Sequence, residues 1–291
     1  MFSGSMVAVV TPMTATGEVD LAAWDRLLAW HAEQGTDAVV VVGTTGESPT
    51  VTLAEATELV RRAALLLGEQ VPVIAGTGTN DTAGTIERTR VLAAAGAKAV
   101  LVVSPYYNKP TQEGLYRHFL AVAEASPVPV IPYNVPSRTG VDLLPDTVVR
   151  LAVHPRILGI KEATGSLARI EELVARCPES FEVYSGDDPI ALPAILAGAR
   201  GVISVTANVA PAAMHELCEH ALAGRLAEAE ALDARLQPLH RALFMESNPI
   251  PVKWAVAELG LIPPGLRLPL TPFSLQHHTV VREAMRAAGI A

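Results

Sequence analysis

Short runs rich in Val and Ile recur along the chain at 6–10, 38–42, 72–75, 99–103, 129–133, 157–161, 182–185 and 202–205. Runs this short and apolar throughout predict strands covered on both faces, because a half-exposed strand would alternate. Between most of them the apolar positions are spaced by three and four, the period of a helix with one buried face. The stretch after the second run shows this best. Thr52 and Glu55 have capping-box spacing, Leu53, Ala56, Leu59, Val60, Ala63 and Leu67 follow a helical period, and Gly68 can close the end. Strand and helix alternate with about 30 residues per unit, the spacing of right-handed parallel crossovers. Eight such strands in the α/β class predict a closed (β/α)8 barrel, the TIM-barrel architecture, over residues 1–224. An open doubly wound sheet is the runner-up, but no GxGxxG follows the first strand, and Gly76-Thr77-Gly78 is only a fragment of one. Past Gly224 the strand pattern stops. Residues 225–291 predict a C-terminal helical domain, with helices over 226–243 and 250–259 and breaks at Pro263-Pro264 and Pro269.

Composition narrows the function classes. The 291 residues are 50% hydrophobic, 18% charged and 4% aromatic, enough apolar material for a large core without metal or disulfide staples. A net charge of −8 with no run of Lys or Arg leaves no footprint for nucleic acid. No apolar run approaches the roughly 20 residues that span a bilayer, so no membrane partner is expected. The first cationic residue is Arg26, and Thr11-Pro12 interrupts the opening apolar stretch, so the layout of a secretory signal is missing and the cytoplasm is the expected address. The two cysteines, Cys177 and Cys218, lack zinc-site spacing and fall on apolar helical stripes, which predicts packing rather than metal binding.

In a barrel of this kind the chemistry sits at the C-terminal ends of the strands. Of only four lysines, Lys98, Lys109, Lys161 and Lys253, Lys161 alone ends an apolar strand. With a period of two, Gly159, Lys161 and Ala163 share one face and Glu162 takes the other, so the adjacent acid is not its ion-pair partner. Desolvation of an amine lowers its pKa and leaves a neutral nucleophile able to form a Schiff base with a carbonyl compound. The bland alternative is a rim lysine paired with a distant carboxylate. Tyr133 ends the preceding strand, where a phenol can pass protons, although a buried tyrosine with a satisfied hydroxyl is the commoner case. In Gly43-Thr44-Thr45-Gly46-Glu47 two glycines are expected to let the backbone turn sharply, so that its N–H groups converge on a small anion and the threonine hydroxyls relay protons. Arg138 can grip a carboxylate with two parallel bonds, or be an ordinary solvated arginine. The loop at 104–110 carries two of the five tyrosines, suiting contact with a ligand, another subunit or the loop's own base.

With Lys161, Tyr133, GTTGE at 43–47, SPYYNKP at 104–110 and YNVPSRTG at 133–140 in view, the sequence resembles the dihydrodipicolinate synthase family, within the pyruvate-dependent class I aldolases that include N-acetylneuraminate lyase. GIKEATG at 159–165, SGDD at 185–188, NPIPVKWA at 248–255 and LRLPLTP at 266–272 extend the resemblance over essentially the whole chain. It implies that Lys161 condenses with pyruvate and that the enamine attacks L-aspartate 4-semialdehyde, with cyclisation to 4-hydroxy-tetrahydrodipicolinate in lysine and diaminopimelate biosynthesis. It further implies a proton relay of Tyr133, Thr44 and Tyr107, the last reaching into a neighbouring subunit of a homotetramer built as a dimer of dimers. Thr45 would hold the pyruvate carboxylate, Gly186 and Ile203 would line the pocket, and Arg138 would hold the semialdehyde's carboxylate. No metal or organic cofactor is implied. Sugar-acid lyases share the lysine and tyrosine but lack this arginine, so they are the nearer rival. A silent keto-acid-binding barrel and a phosphate-binding isomerase are more distant ones. Where feedback-inhibited members bind L-lysine, Ser48, Asn80 and Tyr106 fit the pattern, while Leu53, Ala56 and Gly84 replace groups that would bind the effector's charged ends. Weak or absent lysine inhibition is the expectation.

Overall fold

The computed structural model describes residues 2–290. Its strands are β1 (Gly4–Ala8), β2 (Ala38–Val41), β3 (Val73–Gly76), β4 (Ala99–Val103), β5 (Val130–Asn134), β6 (Gly159–Glu162), β7 (Glu182–Ser185) and β8 (Gly201–Ser204). All pair in parallel and in sequence order, and β8 returns to β1 to close the barrel. The closing seam is glycine against glycine: Gly4 pairs with Gly201, and a Cβ on Gly201 would lie 2.1 Å from the Gly4 carbonyl oxygen. No other residue fits there without moving backbone.

The strands lie where the apolar runs predict: β4 and β7 match end for end, and the other ends shift by at most two residues. β1 shows why. Val9 and Val10 are fully buried, but the Val10 N–H donates to the Asn208 side chain at 2.9 Å instead of to a neighbouring strand. Burial alone therefore does not separate strand from the loop that continues it.

Alternate residues face inward. Met6, Ala8, Val40, Ile74, Leu101, Ile131, Tyr184 and Ile203 fill the barrel as one cluster, while the residues between them pack outward against helices. The helix Leu53–Leu67 has the Thr52–Glu55 capping box and ends at Gly68. Cys218 is fully buried within helix Pro211–Leu222, and Cys177, at the C-cap of helix Leu167–Arg176, is half-buried and packs against the core cluster of Ile170 and Leu173.

The tail forms helices Leu226–Ala242, Ile250–Glu258 and His278–Ala287. Leu236, Leu239, Val252, Val256 and Val281 belong to the same continuous core as Val10, Leu27 and Val60 of the barrel. Burial of this order, at about 25 cal/mol per Å² of apolar surface, ties the tail to the barrel wall.

Candidate active site

A cavity of about 240 Å³ opens at the C-terminal ends of the strands, lined among others by Thr44, Thr45, Tyr133, Arg138, Lys161 and Gly186. Strand pairing builds its centre: Tyr133 and Lys161 are direct partners across β5 and β6, and both point inward. The Lys161 Nζ lies 4.4 Å from the centre of the Tyr133 ring. Only 5% of Lys161 is exposed, and among the described residues no carboxylate reaches salt-bridge distance of its Nζ. Glu162 is turned away, accepting from Asn134 Nδ2 at 3.1 Å and from the Thr164 N–H at 2.8 Å.

Burial pulls the Lys161 ammonium down to about 8, while the Asp187 and Asp188 carboxylates hold it up and Arg138 pushes it further down. Burial pushes the Tyr133 phenol up to about 12, against the opposing pull of Arg138 and Thr44, so it enters any reaction protonated. Asp187, which also lines the cavity, is raised by burial and lowered by Lys161. The site thus holds an amine that gives up its proton more readily than an ordinary lysine beside a phenol that keeps its own, the pairing that carbonyl addition requires.

The loop after β2 turns differently from the sequence expectation. Its left-handed residues are Val42 at φ 55° and Glu47 at φ 59°, not the two glycines. Gly46 is needed for closeness instead: a Cβ there would meet the Val42 Cα at 3.0 Å and the Val9 carbonyl oxygen at 3.2 Å. A β-branched valine in that conformation is strained, a feature that marks functional loops. The N–H groups of Thr44, Thr45 and Gly46 have no hydrogen-bond partner among the described residues. Two of the three residues line the cavity, so their donors can serve a carboxylate there.

The remaining expected site residues divide. Arg138 sits on the single helical turn Pro136–Thr139 at the cavity mouth, its Nη2 donating to the Asn248 carbonyl at 3.2 Å. Gly186 makes room for the lysine: a Cβ would lie 2.9 Å from the Lys161 Cε. Ile203 is fully buried in the barrel interior, and Val205, two residues on, reaches the cavity wall. Tyr107 does not enter its own chain's cavity; it is 86% exposed with φ 73°. Ser48 lines a crevice of about 20 Å³ behind Thr44 and Tyr133, the Asn80 carbonyl accepts from Asn108 Nδ2, and Tyr106 is 37% exposed.

Asn248 and Phe244, from the tail, line the cavity without having been picked out by reasoning from the residues. The Asn248 amide donates to Thr45 Oγ1 at 3.1 Å. A larger cavity of about 470 Å³, between Trp30, Pro211 and Ile290, offers no lysine, cysteine, serine or tyrosine. No group of His, Cys, Asp and Glu among the described residues is arranged to hold a metal ion, and no helix is long and apolar enough to cross a membrane.

A closed parallel barrel with a desolvated lysine and a phenol at the C-terminal ends of adjacent strands defines a barrel enzyme of the aldolase type. Comparison with known proteins specifies it. A profile described as the dihydrodipicolinate synthetase family matches residues 1–288. A 4-hydroxy-tetrahydrodipicolinate synthase of Thioalkalivibrio sulfidiphilus is 58% identical over 100% of this chain and 99% of its own, and one of Thiobacillus denitrificans is 60% identical over 98% and 96%. The crystal structure of a dihydrodipicolinate synthase from Acinetobacter baumannii, complexed with pyruvate, superposes with a TM-score of 0.98 at 50% identity over 100% of both chains. The chain belongs to the dihydrodipicolinate synthetase family, and with it to the lyases.

Proposed function

We propose that this cavity condenses pyruvate with L-aspartate 4-semialdehyde, the reaction for which the similar enzymes are named 4-hydroxy-tetrahydrodipicolinate synthases. The observation that carries the reading is the buried Lys161 amine, without a carboxylate partner, beside a protonated Tyr133.

The neutral Nζ of Lys161 adds to the keto carbon of pyruvate, and the carbinolamine loses water to give an imine. Loss of a methyl proton converts the imine to an enamine, whose carbon attacks the aldehyde carbon of the semialdehyde. The aldehyde oxygen takes up a proton and remains as the 4-hydroxyl. The substrate's own amine then displaces Lys161 from the imine carbon, closing the ring and freeing the enzyme. One water is lost overall, and the route drawn uses no metal or organic cofactor. Tyr133 supplies and recovers protons, with Thr44 next to it and Tyr107 delivered by a neighbouring subunit of a homotetramer, a dimer of dimers. The exposed, left-handed Tyr107 supports that delivery, since such a side chain is poorly accounted for within one chain. Thr45 and the free loop amides hold the pyruvate carboxylate, Gly186 shapes the pocket wall with Val205 while Ile203 is buried in the barrel interior, and Arg138 at the mouth holds the carboxylate of the second substrate. Soluble small-molecule substrates of this kind fit a cytoplasmic enzyme.

The test is turnover of the two substrates coupled to a dihydrodipicolinate reductase and followed as NADPH loss. Lys161→Ala should abolish it, and Arg138→Ala should raise the KM for the semialdehyde while leaving pyruvate imine formation intact. Wild-type protein that is folded yet inactive here, but active with sugar-acid aldehydes, would replace this reading with that of a different pyruvate-dependent lyase.

A further inference from the structure

Between the loop after β2 and the tail lies a fully buried ion pair that the chemistry above does not use. Lys253 Nζ meets Glu47 Oε1 at 2.5 Å across 206 residues of sequence, each side chain 1% exposed. The second oxygen, Oε2, accepts from the Arg267 N–H at 3.2 Å. Arg267 in turn donates to the carbonyls of Thr50 at 2.5 Å and Gly17 at 2.7 Å. Both oxygens of one carboxylate are therefore held by two separate segments of the tail. Glu47 is also the left-handed residue that ends the Thr44-Thr45-Gly46 turn.

Stability alone does not account for this arrangement, because replacing a buried ion pair with apolar side chains of similar size is often neutral or stabilising. Its placement suggests another role. The helix carrying Lys253 begins just after Asn248, whose side chain donates to Thr45 Oγ1 and whose carbonyl accepts from Arg138. One short tail segment thus touches the residue proposed to hold the first substrate's carboxylate, the residue proposed to hold the second's, and the carboxylate that fixes the loop between β2 and its helix.

We propose that the Glu47–Lys253 pair is a positioning device that fixes the loop amides and Thr45 in the orientation that grips the carboxylate of a 2-oxo acid, so that a pair outside the cavity sets 2-oxo acid recognition without touching the substrate. The inference rests on the imine reading of Lys161. Lys161 itself is mounted on β6 and is independent of the pair, so losing the pair should weaken substrate capture and spare the nucleophile.

Borohydride trapping of pyruvate on the full-length protein, read by mass spectrometry across a pyruvate titration, separates these effects. Two variants are used: Glu47→Gln, which removes the charge and keeps the shape, and the double variant Glu47→Leu with Lys253→Met, which leaves no lone buried charge to unfold the protein. Both should reach the wild-type extent of trapping at saturating pyruvate but need about tenfold more pyruvate or above to reach half of it, as expected for a carboxylate grip displaced by a fraction of an ångström to an ångström. Unchanged half-saturation in folded double variant, with only the melting temperature altered, would overturn the proposal and leave the pair a purely structural one. Absence of any adduct on the wild-type protein would overturn the imine reading, and this inference with it.

Discussion

The state of the Lys161 amine can be tested by varying pH alone. Burial lowers this group from 10.5 to about 8. That difference weighs against the charged form by about 3 kcal/mol. At about pH 7.5 about a quarter of the protein then carries the free amine, against about one part in a thousand for an ordinary lysine, an advantage of roughly 200-fold in nucleophile. Pulse trapping of the pyruvate imine with cyanoborohydride, from about pH 6 to 10, should show an initial rate that rises about tenfold per pH unit and levels off above about pH 8. Asp187→Asn removes a carboxylate that holds the proton on Lys161, so the break should move to lower pH. A rate that keeps climbing with unit slope through pH 9 and beyond would mean an ordinary lysine. The desolvation argument would then be wrong even if Lys161 is the residue modified.

Three further outcomes are expected. Gly186→Ala puts a Cβ 2.6 Å from the Ala163 Cβ and 2.9 Å from the Lys161 Cε, so imine formation should slow about tenfold or more; trapping at the wild-type rate would show that the lysine chain can sidestep. His31 is wholly buried and held down to about 3 by desolvation, so between about 3 and 6.5 the unfolded chain binds more protons than the folded one. Stability should accordingly fall as pH drops below 6.5, by up to about 1.4 kcal/mol per pH unit from this group, and urea midpoints at pH 7 and 5 that coincide would refute it. Millimolar L-lysine at saturating substrates should leave turnover nearly unchanged, because Leu53, Ala56 and Gly84 offer no charged partner for it; strong inhibition would remove that reasoning.

What the sequence made legible follows from period and position. Apolar runs marked all eight strands because a parallel sheet is covered on both faces, and the inward phase of β6 singled out Lys161 and excluded Glu162. The contributions of Glu47, Asn248 and Lys253 were not legible by the same means, since the contacts they make cross 203 and 206 residues and no local period encodes them. One signal was present: Lys253 interrupts the apolar run Ile250 to Val256, and a lone lysine on a helix with no polar face needs a buried partner. The glycines of the loop misled for a related reason. Glycine reports either freedom of φ or lack of space, and only packing shows that Gly46 serves the second while Val42 and Glu47 take the left-handed turns.

The unequal mounting of the two halves of the site has a consequence for how the protein comes apart. Lys161 and Tyr133 are carried by a backbone ladder in the barrel wall, whereas the Thr45 loop is tied by side chains to a segment more than 200 residues away. Ladders of this kind exchange their amide hydrogens only on global opening, while side-chain ties release in smaller fluctuations. As denaturant rises, the Thr45 loop is expected to loosen before the β5–β6 ladder does, and amide exchange of Thr44–Gly46 measured against that of Tyr133 and Lys161 checks the order. On that order, a barrel that still holds its amine beside Tyr133 would already have lost the loop proposed to choose among carbonyl compounds.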